Sequence, residues 1–124
     1  MDLKTLPVLI YHKYKYILTF LDDHTSHGWI SLLENKSDMA KAIEHFIAMV
    51  STQYKSRVQA VMSDFGGEFT SLRPEEYFKE LGIRVQHSVP HMLQQNGRAE
   101  RFNRTLFEKS EAMRHQACLP RSWW

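Results

Sequence analysis

The segment Tyr16-Ile17-Leu18-Thr19-Phe20-Leu21 constrains the fold more than any other part of the chain. Alternate residues of a strand face opposite sides. Ile17 and Leu21 are apolar on one side here, Leu18 and Phe20 on the other. A strand of this kind, over about 14–22, reads as buried in a sheet that helices cover.

The neighbouring sequence extends that reading. His24-Thr25-Ser26-His27-Gly28 is an exposed turn into a hairpin partner, Trp29 to Leu33. Ser37 is the expected N-cap of a helix over roughly 38–53, whose Met39, Ile43, Phe46, Ile47 and Val50 recur at helical spacing. Val58 to Met62 is a short apolar strand ending at Ser63-Asp64. Pro74 with Glu75 and Glu76 behind it opens a short helix that Gly82 closes. Ile83 to His87 is a further strand, and Gly97 opens a long helix reaching about residue 116. With a first strand at the start, the order is β-β-β-α-β-α-β-α, which by itself supports α/β or α+β and nothing finer.

A chain of 124 residues is one domain by length. Its 43% hydrophobic and 24% charged residues fit a globular protein rather than a disordered one. No apolar run reaches the roughly 18–20 residues that cross a bilayer, and no signal peptide is visible. One cysteine, Cys118, excludes an internal disulfide and a cysteine-based zinc finger in this stretch, and fits a reducing compartment. Net charge is +2, a weak pointer to nucleic acid. Arg98, Arg101, Arg104, Lys109, Arg114 and Arg121 make the last quarter basic, which suits either a nucleic-acid surface or a solvated helical face.

The chemistry lies in three carboxylates. Asp64 stands in Ser63-Asp64-Phe65-Gly66-Gly67-Glu68-Phe69 and Glu100 in Gln94-Gln95-Asn96-Gly97-Arg98-Ala99-Glu100-Arg101, with thirty-five residues between them and Asp2 near the start. Mg²⁺ is a hard cation that takes few carboxylates and keeps several waters. Two such ions roughly 3.5–4 Å apart clamp the attacking and leaving oxygens of a displacement at phosphate. Asp64 at a strand's end projects from a rigid element, and the glycines after it let backbone approach a phosphate. The same words also fit an ordinary Asp-Gly turn. At 100° per residue Asn103, Arg104 and Phe107 share the face of Glu100, while Ala99, Phe102, Leu106 and Met113 form a separate apolar stripe. The helix can then pack on a sheet and turn Glu100 to a site, with Asn103 and Arg104 free to meet phosphate. The alternative is a surface Glu100–Arg104 pair at i,i+4. Asp2 alone reads as a solvated residue on a fraying end. His24, His27, His87 and His91 form no metal set.

Three ordered motifs, Tyr16 to Asp23 (YILTFLDD), Ser63 to Thr70, and Gln94 to Leu106 (QQNGRAERFNRTL), resemble the integrase catalytic core of Ty1/copia-type LTR retrotransposons, and the likeness covers essentially the whole chain. The resemblance implies a ribonuclease H-like α/β fold, a five-stranded mixed sheet flanked by helices. Residues 1–124 would be the catalytic core, cut at both ends, without the zinc-binding or C-terminal DNA-binding modules. Asp2, Asp64 and Glu100 would be catalytic and hold two Mg²⁺ (or Mn²⁺) in a polynucleotidyl transferase. Such an enzyme trims a 3′ end and then directs the 3′-hydroxyl at a target phosphodiester, with no covalent enzyme intermediate. The implied partners are retrotransposon terminal DNA, target DNA and further copies of the chain, within a longer Gag-Pol-type polyprotein. No membrane partner is implied. The implied location is the nucleus, after a cytoplasmic particle. His91, Gln94, Gln95, Asn96, Asn103 and Arg104 would contact nucleic acid, the first four from a loop over Ser88 to Gly97. Asp22-Asp23 would end the second strand, with Asp22 the alternative to Asp2 as first ligand.

The chain departs from the family pattern at four places. Phe65 stands where Asn is common, Leu93 replaces a proline, His91 a tyrosine and Leu6 a glycine. Phe65 and Leu93, with Asp2 on a fraying strand, favour a second reading, a catalytically inactive DNA- or RNA-binding remnant of the same fold. A third is an interaction domain that self-associates. The terminal Trp123-Trp124 suggests a surface that packs on something further along.

Overall fold

The computed structural model describes residues 1–6, 13–63, 74–87 and 93–121. In chain order they form β1 (Asp2–Thr5), β2 (Tyr16–Leu21), β3 (Gly28–Leu33), α1 (Met39–Gln53), β4 (Ala60–Ser63), α2 (Pro74–Glu80), β5 (Arg84–His87) and α3 (Leu93–Gln116). This is the order read from the sequence. A 3₁₀ turn over Lys36–Asp38 leads into α1 and displaces the expected cap: Asp38, not Ser37, occupies the N-cap position, and it makes no side-chain capping bond.

The chain groups into two compact units, Met1–Lys36 with Met92–Trp124, and Ser37–His91. In the first, β1, β2 and β3 form an antiparallel meander with β2 in the centre. Ile17, Leu18, Thr19 and Phe20 of β2 are all at most 7% exposed, so the strand is covered on both faces as its composition demands. Register puts Asp2 beside Thr19 and Leu21 beside Gly28, all on one face. Helix α3 lies on that face with Phe102 seated at Gly28. A Cβ at Gly28 would clash with the Phe102 ring, so only a residue without a side chain allows this approach.

The β2–β3 turn is tightly organised. The Asp22 carboxylate accepts the Thr25 N–H at 2.8 Å and the Thr25 hydroxyl at 2.5 Å. Backbone bonds from Ser26 N–H to the Asp22 carbonyl and from Asp22 N–H to the His27 carbonyl close it, each at 2.9 Å. Ser26 takes a left-handed φ of 60°, which these bonds hold in place.

Helix α3 starts at Leu93, four residues before the expected opening at Gly97. Gln is a good helix former, and an isolated interior glycine costs only about 1 kcal/mol. Glu100 therefore sits two turns into the helix rather than in its first turn. At the far end Cys118 adopts φ 51°, with Cys118 N–H on the His115 carbonyl and Leu119 N–H on the Arg114 carbonyl. That is a Schellman motif with cysteine where glycine is usual. Arg114, 8% exposed, folds back on this turn: Nη1 donates to the Leu119 carbonyl at 2.9 Å and Nη2 to Glu111 Oε2 at 2.7 Å. The buried face of the helix thus rotates toward Arg114, and Met113, expected on the apolar stripe, is 63% exposed.

In the second unit β4 and β5 run parallel, Ala60 beside Arg84 and Ser63 beside His87, with α2 as the crossover. Gly82, at φ 70°, closes α2 in a Schellman motif through Gly82 N–H to the Lys79 carbonyl and Ile83 N–H to the Phe78 carbonyl. Phe78 and Ile83 are buried, as are Met39 and Ile43 of α1. The expected five-stranded sheet is thus present as five strands in two ladders of three and two, among the described residues.

Candidate active site

Asp2 is tied down rather than frayed. It lies in β1 opposite Thr19, whose hydroxyl donates to the Asp2 carbonyl at 3.2 Å. Its carboxylate Oδ2 accepts the Asn103 amide, Nδ2, at 2.7 Å and has the Lys4 ammonium at 3.8 Å, with 31% of the side chain exposed. The short bond to Asn103 is charge-assisted and joins residues 101 apart in sequence. It brings the helix carrying Glu100 onto the strand carrying Asp2.

Asn103 is 0% exposed and its Oδ1 is buried with no partner among the described residues. It was expected free to meet DNA phosphate. Instead its amide is spent on Asp2 within the protein. Glu100 is three residues earlier, about 60° away round the helix, and solvent-exposed, as are Arg101 and Arg104. The surface pairing of Glu100 with Arg104 is not among the ion pairs of the described residues.

Asp22 is accounted for by the turn. Its bonds to Thr25 hold its carboxyl below the usual carboxylate range, the Thr25 hydroxyl contributing most and the Thr25 N–H next. Asp22 and Asp23 end β2 and enter the hairpin, the structural role expected of them. Asp64 and Phe65 lie outside the described residues, as do His91 and the side chains of Leu93, Gln94, Gln95 and Asn96. The DNA-contacting loop expected over Ser88 to Gly97 is helical from Leu93 onward.

Among the described residues no three His, Cys, Asp or Glu side chains gather as a metal group. The donor chemistry nevertheless suits a hard cation. Asp2 and Glu100 are oxygen donors from one unit, and the Asn103 Oδ1 beside Asp2 is a buried acceptor still short of a donor, such as a water on a cation would supply. Sequence reasoning missed two further residues. Arg98, counted only among the basic residues of the last quarter, donates from Nη1 to the Asp23 carbonyl at 2.9 Å and to Asp23 Oδ1 at 2.6 Å, and from Nη2 to Ser26 Oγ at 2.9 Å. Gly28 admits Phe102. The glycine beside a turn was the only available signal for either.

The model of the Integrase core domain family matches residues 1–92. The chain is 40% identical over 110 residues, 89% of its length, to the Retrovirus-related Pol polyprotein from transposon TNT 1-94 of Nicotiana tabacum. It is 31% identical over 123 residues, 99% of its length, to that from transposon RE1 of Arabidopsis thaliana. The chain spans 8% of each of these polyproteins. Among solved structures, the simian T-cell lymphotropic virus intasome in complex with PP2A regulatory subunit B56 gamma aligns at TM-score 0.74 and 17% identity, over 96% of this chain and 41% of that one. The HTLV-2 integrase catalytic core domain in complex with magnesium, a trimeric form, aligns at TM-score 0.65 and 18% identity, over 96% and 72%. These likenesses show the ribonuclease H-like fold of integrase catalytic cores. The chain belongs to the integrase core domain family, as the integrase catalytic core of a Ty1/copia-type retrotransposon.

Proposed function

We propose that this chain carries out DNA integration as a metal-dependent polynucleotidyl transferase, trimming the 3′ ends of retrotransposon DNA and joining them to a target. One observation carries the reading: the Asn103 amide on the Asp2 carboxylate, which draws the Glu100 helix onto the Asp2 strand.

Asp2 and Glu100, with Asp64, would hold two Mg²⁺ or Mn²⁺ ions. When bound, such ions neutralise phosphate charge and clamp the attacking and leaving oxygens. The chain's own residues position the rest. Asn103 fixes the rotamer of Asp2, Thr19 fixes its backbone, and exposed Arg101 and Arg104 meet the phosphates of the DNA. Catalysis of this kind is positioning and charge neutralisation, so it needs no nucleophilic side chain. Cys118, exposed beyond the far end of α3, has no part in it. The natural setting would be a longer Pol polyprotein acting in the nucleus, with further copies of the core assembled on terminal and target DNA.

The test is strand transfer between short DNA duplexes in Mn²⁺, comparing the parent with Asp64→Asn and Glu100→Gln. The expected result is product from the parent and loss of at least a hundredfold in each variant. A folded parent that binds DNA yet makes no product would replace this reading with the inactive binding remnant.

A further inference from the structure

We propose that Arg98 is a positioning residue, latching α3 onto the β2–β3 turn and thereby setting where Glu100 stands relative to Asp2. The proposal deepens the catalytic reading above and rests on it.

Arg98 reaches across 75 residues of sequence to Asp23 and 72 to Ser26, binding a carboxylate, a main-chain carbonyl and a hydroxyl at once. An exposed ion pair by itself contributes little. Here the planar fork meets three acceptors in fixed relation, which a flexible point charge could not do. Two of them, the Asp23 carbonyl and the Ser26 hydroxyl, sit on a turn held in advance, while the Asp23 carboxylate is 94% exposed. Asp22 organises the turn through Thr25, and the left-handed Ser26 is locked by its backbone bond to the Asp22 carbonyl. The latch therefore closes on a rigid anchor.

Its place on the helix decides what it controls. Arg98 and Phe102 are one turn apart on one face, and Phe102 is seated at Gly28. Asn103 adds the bond to Asp2. Together the three fix the helix in rotation and translation over the turn that contains Glu100, which points away from the latch into solvent. Gly97 directly precedes Arg98 and weakens the helix there, so α3 needs an external hold at this point. Misplacing a reacting group by about 1 Å can lower a rate on the order of a hundredfold. A worn latch would show as lost turnover rather than lost affinity.

The experiment uses the full chain, with strand-transfer kinetics in Mn²⁺ and amide hydrogen exchange on the same samples. The variants are Arg98→Met, Arg98→Lys, Asp23→Ala, and Arg98→Met with Asp23→Ala. Arg98→Met is expected to lower kcat about tenfold or more with KM for DNA within twofold. Asp23→Ala should lower it in the same direction, the double variant should be no worse than Arg98→Met, and lysine should restore part of the rate. Exchange over residues 98–103 should quicken about tenfold in Arg98→Met and in Asp23→Ala while β2 stays protected. A raised KM in Arg98→Met with Asp23→Ala unaffected would overturn the proposal, because it would make Arg98 a DNA contact. Unchanged exchange over 98–103 would also overturn it. If the parent makes no product but exchange quickens in Arg98→Met and in Asp23→Ala, the latch stands and the catalytic reading alone falls.

Discussion

A buried amide that serves a half-exposed carboxylate is an unusual economy, and Asn103 has no apolar substitute. Replacing it with alanine removes the charge-assisted donor to Asp2 Oδ2. Asn103→Ala is expected to lower stability by about 1.5–3 kcal/mol in urea unfolding, and to lower strand transfer with DNA affinity kept. Asp22 supports a pH prediction. Its folded-state pKa is depressed by the Thr25 hydroxyl and N–H, so the native state binds fewer protons there than the unfolded chain. The turn's stabilisation is therefore present above the ordinary aspartate range, about pH 4, and is lost as pH falls through the lower folded value. A carboxyl-detected NMR titration should place Asp22 below an unstructured aspartate, and Thr25→Val should move it back up. The strand-ending role of Asp22 was expected, whereas the role of Asn103 was not legible from spacing. Helical periodicity placed Asn103 near Glu100, but whether a polar residue there faces water or a carboxylate depends on a strand a hundred residues away.

At the level of elements, the hydrophobic pattern located the strands and helices because burial writes its period into the sequence. β2 shows it best, apolar on both sides and covered on both. The boundaries that escaped were those set by polar residues. α3 begins inside a glutamine-rich run that resembles a loop, and α1 is entered by a 3₁₀ turn that no periodicity announces. The end of α3 carries a testable strain. Cys118 occupies a left-handed position whose cost for a side chain is roughly 1–2 kcal/mol, which glycine does not meet. Cys118→Gly should stabilise the chain by about 0.5–1 kcal/mol, visible as a raised urea midpoint with an unchanged m-value.

Across the whole molecule, the basic residues divide into two kinds. Arg98 and Arg114 are committed to internal hydrogen bonds, whereas Arg101 and Arg104 lie exposed along α3. Counterion release ties salt dependence to the number of phosphates neutralised. Arg101→Ala and Arg104→Ala should each reduce the salt slope of DNA binding by about 1, and Arg98→Met should leave it unchanged. The net charge of +2 concealed this division, since composition counts charges without saying which ones are already bonded within the protein. The unit that carries Asp2 and Glu100 is also built from the first and last thirds of the chain, with Ser37–His91 between them. On the ribosome β1, β2 and β3 emerge first, and at roughly 5–20 residues per second the helix that covers Thr19 and Gly28 follows only several seconds later. Until then the face that α3 covers stays bare, and a nascent chain stalled before α3 would leave a surface suited to chaperones, with Asp2 lacking its bond from Asn103.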